Sequence, residues 1–222
     1  MARRPSDPER DDAVRRGRPV THRQVTSFRL RRQHLAERAP QGSSLTALGD
    51  MAGAQAQVVS AARISLWARV HALTPDEVDA AIFPARTIVR AACMRHTLHL
   101  VPSTEVAMFV RGATKRAERD VQWMLNKGAG EEELDRVLSA VLEVLDRPLS
   151  RTELVESAAS LLGLPRTKSA DGWWGNTREL PSIQVGPIAC PANYLLSLAS
   201  GRGIICYADY RGGEPTFVRA DA

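Results

Sequence analysis

The apolar positions of this chain change period along its length. Over residues 25–35, Val25, Phe28, Leu30 and Leu35 are interleaved with Arg29, Arg31, Arg32 and His34, which predicts a helix with a basic face. Pro40-Gln41-Gly42 ends it, and Ser43 or Ser44 caps a short helix to about Met51. From Ser60, a stripe of Ala61, Ile64, Leu66, Trp67, Val70 and Leu73 predicts a further helix with Trp67 in the core. Thr74-Pro75-Asp76-Glu77 is a start signal: Thr74 caps, Pro75 takes the first helical position and Glu77 completes a capping box, for a helix to about Ile82. After Pro84, residues 86–94 read as a helix, with Ile88, Val89, Ala92 and Cys93 inward and Arg86, Arg90 and Arg95 outward. Residues 97–101, Thr-Leu-His-Leu-Val, alternate as a strand.

Short helix, turn, basic helix and strand is the order of a winged helix, whose second helix enters the major groove of DNA. Arg86, Thr87 and Arg90 would then face the groove. The same order also fits the surface of an ordinary α+β domain. A helix capped by Ser103 runs toward Lys115, and a charged helical stretch continues to Asn126. Residues 131–145 form an amphipathic helix with Leu134, Val137, Leu138, Val141, Leu142 and Leu145 on one side and acids in its first turn, where the macrodipole favours them. A second unit of similar order follows. Ser150 and Glu153 open a helix to about Leu162; a loop carries Trp173, Trp174 and Gly175; then come a weakly patterned stretch and a helix over 193–200. Residues 203–207 and 215–219 read as a hairpin about Arg211-Gly212-Gly213. The expected fold class is mostly α with small β wings (α+β), in tandem winged-helix units. The expected divisions are a disordered basic arm over 1–22, a first winged helix over 23–102, a helical connector over 103–147 and a second winged helix over 148–222. The chain stops directly after a strand, as a truncated chain would.

Composition narrows the partners. No run of about 18 apolar residues is present, so no membrane span is expected. The first residues are charged, with no apolar core, so no secretory signal is expected either. Cys93, Cys190 and Cys206 are scattered without a paired spacing, which fits a reducing cytoplasm and no structural zinc. The net charge is +5, and residues 1–38 hold eleven arginines against five acids, leaving the remainder at −1. A basic arm on a near-neutral body points to a polyanion, nucleic acid ahead of membrane. Residues 1–20 alone read equally well as a solvated Arg-rich tail.

The candidate chemistry lies in residues 52–59, Ala-Gly-Ala-Gln-Ala-Gln-Val-Val. In an extended segment Gln55 and Gln57 present their amides to one side, while Ala54, Ala56 and Val58 face the other. Each amide offers two donors and a carbonyl acceptor. That suffices to position a water or grip a polar group, but not for strong base catalysis. The alternative is that both amides cap backbone groups in a tight loop. His96 and His99 have no third ligand and fall on opposite faces of a strand, so no metal is expected; His99 is a candidate DNA contact.

These residues have a family look. Val25-Thr26-Ser27-Phe28-Arg29-Leu30, Gly53-Ala54-Gln55-Ala56-Gln57, Ser65-Leu66-Trp67-Ala68-Arg69 and residues 94–101 (Met-Arg-His-Thr-Leu-His-Leu-Val) resemble the AlkZ/YcaQ-type winged-helix DNA glycosylases. Gly201-Arg202-Gly203-Ile204-Ile205-Cys206 and Thr216-Phe217-Val218-Arg219 are also similar to that family. The most specific motif is Gln-aliphatic-Gln, matched by Gln55-Ala56-Gln57. The resemblance implies tandem winged helices forming a concave basic surface on double-stranded DNA. It implies excision of N7-alkylated purines, in some members unhooking of interstrand crosslinks, with Gln55 and Gln57 catalytic and no cofactor. A sister branch carries Asp at the second position; the Gln here resembles the crosslink-unhooking branch. A third winged helix and a terminal β element would follow in the family. The DNA contacts expected from the residues are Arg29, Arg86, Thr87, Arg90, Arg95 and His99, in a monomeric, nucleoid-associated cytoplasmic protein.

The chemistry agrees with such a substrate. N-glycosidic hydrolysis passes through an oxocarbenium-like sugar and normally enlists a carboxylate. An N7-alkylated purine already carries positive charge and leaves without acid assistance. Two amides could then act by positioning and electrostatics.

Overall fold

The computed structural model describes residues 19–94, 97–111, 114–171, 178–212 and 214–221. Arg95, His96, Trp173, Trp174 and most of the basic arm therefore lie outside the described residues. Helix α1 (His22–Arg32) begins at a capping box, Thr21 with Gln24, three residues earlier than the apolar pattern suggests. It buries none of its side chains, and Phe28 and Leu30 are exposed beside the arginines. Its C-terminal end is tied down where Asp50 accepts from His34 Nε2 at 2.8 Å and meets Arg32 Nη1 at 3.5 Å. Asp50 closes α2 (Ser44–Asp50), which buries Ala47 and Leu48. After the two-residue strand β1 (Ala54–Gln55) come α3 (Val59–Trp67) and α4 (Pro75–Ile82). Helix α4 starts at the expected capping box of Thr74 and Glu77.

Residues 86–94 are not the expected helix. They enter β2 (Ile88–Cys93), which pairs antiparallel with β3 (Thr97–Pro102). All six residues of β2 are buried. An interior strand covered on both faces shows a continuous apolar run rather than alternation, and such a run cannot be told from a buried helix by period alone. Ser103 likewise caps no helix through its side chain; it begins a 3-10 turn (Ser103–Glu105) leading into α5 (Val106–Arg111).

Helices α6 (Thr114–Asn126) and α7 (Glu131–Glu143) follow, the latter burying Leu134, Val137, Leu138 and Val141 as its period requires. Strand β4 (Leu149–Ser150) leads into α8 (Arg151–Leu161), capped by Ser150 and Glu153 as expected. The weakly patterned stretch forms β5 (Thr167–Asp171), β6 (Arg178–Val185) and β7 (Ile188–Pro191), a three-stranded antiparallel sheet. Helix α9 (Ala192–Gly201) and the expected hairpin, β8 (Ile205–Arg211) and β9 (Glu214–Arg219), complete the described chain.

The fold is a mixed α and β architecture with antiparallel sheets, and the sheets are larger than wings. Strands from both ends of the chain share one sheet in the order β1-β3-β2-β8-β9-β4. The join is β2 against β8, where Arg90 lies opposite Tyr207. One core packs α2, α3 and α4 on the first strands through Leu48, Leu66, Val70 and Leu100. A second gathers α7, α8 and α9 around Leu154, Leu195 and Phe217. Phe109 of α5, with Val89, Ala91, Val101, Cys206 and Val218, forms a third. Trp67 is not in any of them. The buried line of α3 runs through Ala62 and Leu66, leaving Ile64 and Trp67 on the outer side at 64% and 55% exposure.

Candidate active site

The chain enters β1 through two residues in the left-handed region, Ala52 at φ 57° and Gly53 at φ 84°. A Cβ at Gly53 would stand 3.0 Å from Val101 Cγ1 and 3.1 Å from the Leu100 carbonyl oxygen. Glycine therefore permits both the turn and the close approach of β1 to β3. Beyond the turn the side chains alternate. Ala54 and Ala56 are buried in the core with Leu48 and Leu66, and Gln55 and Gln57 are both exposed. Val58 is exposed too, against the expectation that it faces inward, because it sits at the cap of α3 where the extended period ends.

Gln55 lies directly opposite His99 in the β1–β3 ladder. The Ala56 N–H donates to the Leu98 carbonyl at 2.7 Å. The Leu98 N–H in turn donates to Gln57 Oε1 at 2.6 Å. Gln57 thus extends the ladder with its side chain, and its carbonyl does cap a backbone group. Gln55 has no such partner among the described residues.

The candidate DNA contacts separate into two groups. Arg29 is exposed on α1, and Thr87 is exposed with its Oγ1 3.4 Å from the Ala81 carbonyl oxygen. Arg86, Arg90 and His99 turn inward instead. Arg86, half-buried at φ 53°, donates to the Arg219 carbonyl at 2.6 Å and to Cys206 Sγ at 3.3 Å. His99 is buried, with Nδ1 2.9 Å from the Thr97 carbonyl oxygen. Arg90 is only 4% exposed. Its Nε donates to the Ala56 carbonyl at 3.0 Å, its Nη2 to the Gln57 carbonyl at 3.4 Å and its Nη1 to the Tyr210 hydroxyl at 2.9 Å. The guanidinium also lies 4.6 Å from the centroid of the Tyr207 ring. A strand buried on both faces carries Arg90 into the protein, where a surface helix would have carried it out.

Asp50, the carboxylate nearest to the Gln pair in sequence, is held by His34 and Arg32. The three thiols are buried, and burial pushes Cys93 up to about 11 and Cys190 up to about 12. Such thiols stay protonated at neutral pH and are poor nucleophiles. Among the described residues no cluster of His, Cys, Asp and Glu could hold a metal ion. None of their helices is long and apolar enough to cross a membrane.

Past Gln57, helix α3 leaves Ile64 and Trp67 exposed on its outer side. The Arg38 guanidinium sits 4.6 Å over the Trp67 ring. Beside it Arg63, Leu73, Pro75 and Val78 help line a hollow of about 340 Å³.

The family model of AlkZ-like DNA glycosylases matches residues 48–189, which include the Gln pair, β2 and β3. This chain belongs to the AlkZ-like DNA glycosylase family. It is 26% identical over 197 residues to an interstrand DNA cross-link repair glycosylase of Streptomyces sahachiroi, covering 88% of this chain and 48% of that protein. Its fold is similar to the solved structure of the Streptomyces sahachiroi DNA glycosylase AlkZ, with a TM-score of 0.64 and 25% identity over 90% of this chain and 50% of the other. The chain thus spans about half the length of the relative it matches.

For an AlkZ-like chain, sequence reading finds the exposed amides but not what holds them. The Leu98 N–H leaves no trace in a sequence, because any residue but proline supplies one. Arg90 reads as a surface charge until the strand is known. Tyr207 and Tyr210 become relevant only through the pairing of β2 with β8.

Proposed function

We propose that this chain acts on double-stranded DNA as a glycosylase that hydrolyses the N-glycosidic bond of N7-alkylated purines, with Gln55 and Gln57 as catalytic residues. The observation that carries the reading is the exposed pair itself. Two exposed amides flank buried Ala56, Gln55 at the end of β1 and Gln57 just past it, in the part of the chain that matches the family model. The substrate supplies what the amides lack. As the C1′–N9 bond breaks, its electron pair neutralises the cationic base, which leaves without a general acid. Water then bonds to C1′ and gives up a proton to solvent. The Gln55 carbonyl accepts from that water. The Gln57 carbonyl, although bound to the Leu98 N–H, keeps a second lone pair for the developing sugar cation, and its NH2 donates to a sugar or phosphate oxygen. No cofactor is required.

In the same reading, the segments on either side of the helical connector are winged-helix units that together present a basic face to the duplex. Arg29, Thr87 and Arg95 are DNA contacts, whereas Arg90 and His99 support the site from within and Arg86 ties the chain to the C-terminal hairpin. The exposed α3 side, with Ile64 and Trp67, lies along the DNA. The relative's name speaks of interstrand crosslinks; crosslinks made through purine N7 are accordingly proposed as substrates of this chain. The protein works as a monomer on the nucleoid, in the cytoplasm.

The test is base release from duplexes bearing one 7-methylguanine, one uracil or no lesion, read by chromatography of the free base and alkaline cleavage of the strand. The proposal expects release of 7-methylguanine above the spontaneous rate and none from the other two. Duplex binding with no release would replace it with a non-catalytic DNA-binding role.

A further inference from the structure

We propose that Arg90 and Tyr210 are positioning residues: together they set the direction of the Gln57 side chain and tie it to the C-terminal hairpin. The inference rests on the catalytic reading of Gln57 for its kinetic consequence, but not for its geometry.

The Ala56 carbonyl belongs to the peptide unit before the Gln57 Cα, and the Gln57 carbonyl to the unit after it. Arg90 donates to both, from Nε at 3.0 Å and Nη2 at 3.4 Å. Peptide units are planar, so holding the two planes that flank one Cα fixes its two backbone dihedrals and hence the direction of its Cα–Cβ bond. The rigid guanidinium fork suits this role, and a lysine point charge does not. The side chain so directed is the one that accepts the Leu98 N–H.

The cost of this arrangement marks it as more than packing. A buried cation away from water is unfavourable unless it is paired or fully hydrogen-bonded. Among the described residues no carboxylate pairs with Arg90. Its charge is offset by the two carbonyls, by the Tyr210 hydroxyl at 2.9 Å and by the Tyr207 ring at 4.6 Å. Both tyrosines belong to β8, over 100 positions further along the chain than Arg90. Tyr210 is partly exposed at the outer end of that strand, so whatever packs on the hairpin there acts, through one hydroxyl and one guanidinium, on the backbone of Gln57.

The experiment is residue-resolved hydrogen exchange at the Leu98 amide, with single-turnover base release and duplex affinity measured on the same proteins. Gln57→Ala gives the exchange rate of an uncapped Leu98 amide. Arg90→Met is expected to approach that rate, to slow base release about a hundredfold, as misplacement of a reacting group by about 1 Å does, and to leave duplex affinity unchanged. Tyr210→Phe removes only a hydroxyl and is expected to slow release about tenfold, the worth of one such hydrogen bond, with a smaller rise in Leu98 exchange. Arg90→Lys is expected to fall closer to Arg90→Met than to the parent. If Arg90→Met fails to fold, Tyr210→Phe decides. Unchanged Leu98 protection in a folded variant overturns the proposal. So does a loss of duplex affinity with protection intact, which would make Arg90 a direct DNA contact. If the parent releases no base, the catalytic reading fails, and Leu98 exchange still decides the positioning role.

Discussion

Gly53 shows how a single residue determines where the amides stand. Its φ of 84° is open to glycine, and an added Cβ would meet Val101 Cγ1 at 3.0 Å and the Leu100 carbonyl at 3.1 Å. Gly53→Ala is therefore expected to destabilise the fold by about 1–3 kcal/mol, measured by urea unfolding, and to raise exchange at Leu98 as β1 shifts. A variant with unchanged stability and exchange would show that the turn has room to adjust. At this scale the sequence was partly legible. A period of two pairs Gln55 with Gln57, because the alternate positions, Ala54 and Ala56, are small, apolar and buried. The apolar period puts Trp67 in the core and the structure puts it outside, because the buried line of a helix is set by what it packs against, and a shift of one residue turns a side chain by about 100°. Arg90 is buried against expectation, because a charge reads as exposed unless its buried partners, here backbone carbonyls and tyrosines distant in sequence, are known.

Among elements, the helices with explicit start signals were the most legible. Thr74 with Glu77, and Ser150 with Glu153, place α4 and α8 where the sequence does, because a capping box is local chemistry needing no tertiary partner. Each glutamate accepts a backbone N–H at 2.8 Å, from Thr74 and Ser150 respectively. Those bonds hold both carboxyls below their ordinary value of 4.5. A folded-state value below the unfolded one means that the unfolded chain takes up the proton first on acidification. The stabilisation is present above pH 4.5 and is lost as pH falls through the folded values. Melting temperatures measured between about pH 5 and pH 3 are expected to fall less steeply in Glu77→Gln/Glu153→Gln than in the parent, since glutamine keeps the cap without titrating. An identical slope would contradict this. Strand β2 was illegible for the opposite reason: its identity comes from neighbours on both sides and both faces. The three-stranded sheet was unread because its pattern is weak and its segment carries Pro181 and Gly186.

At the scale of the molecule, the sheet that runs from β1 to β4 through β8 joins segments that the sequence suggested as separate units. Long-range pairing of this kind has no local signature. Charge, in contrast, was legible in advance, and α1 displays it: Arg29 and Arg31 are exposed on a helix that buries nothing. If that helix lies along DNA, Arg29→Ala/Arg31→Ala is expected to lower the slope of log affinity against log salt by about 0.9 for each phosphate contact removed, with folding unchanged. A titration series in fluorescence anisotropy from about 50 to 200 mM salt reads this directly. An unchanged slope would place α1 off the DNA.

In the proposed reaction, the two exposed amides of Gln55 and Gln57 perform the hydrolysis. That role is tested most directly by single-turnover release of 7-methylguanine from duplex DNA by the parent, Gln55→Ala and Gln57→Ala, each with its duplex affinity measured in parallel. Each variant is expected to lose about 10²–10³ in rate, the usual effect of removing one preorganised group from a developing charge, with affinity held within about twofold. Release at the parent rate from either variant, at equal affinity, would contradict it.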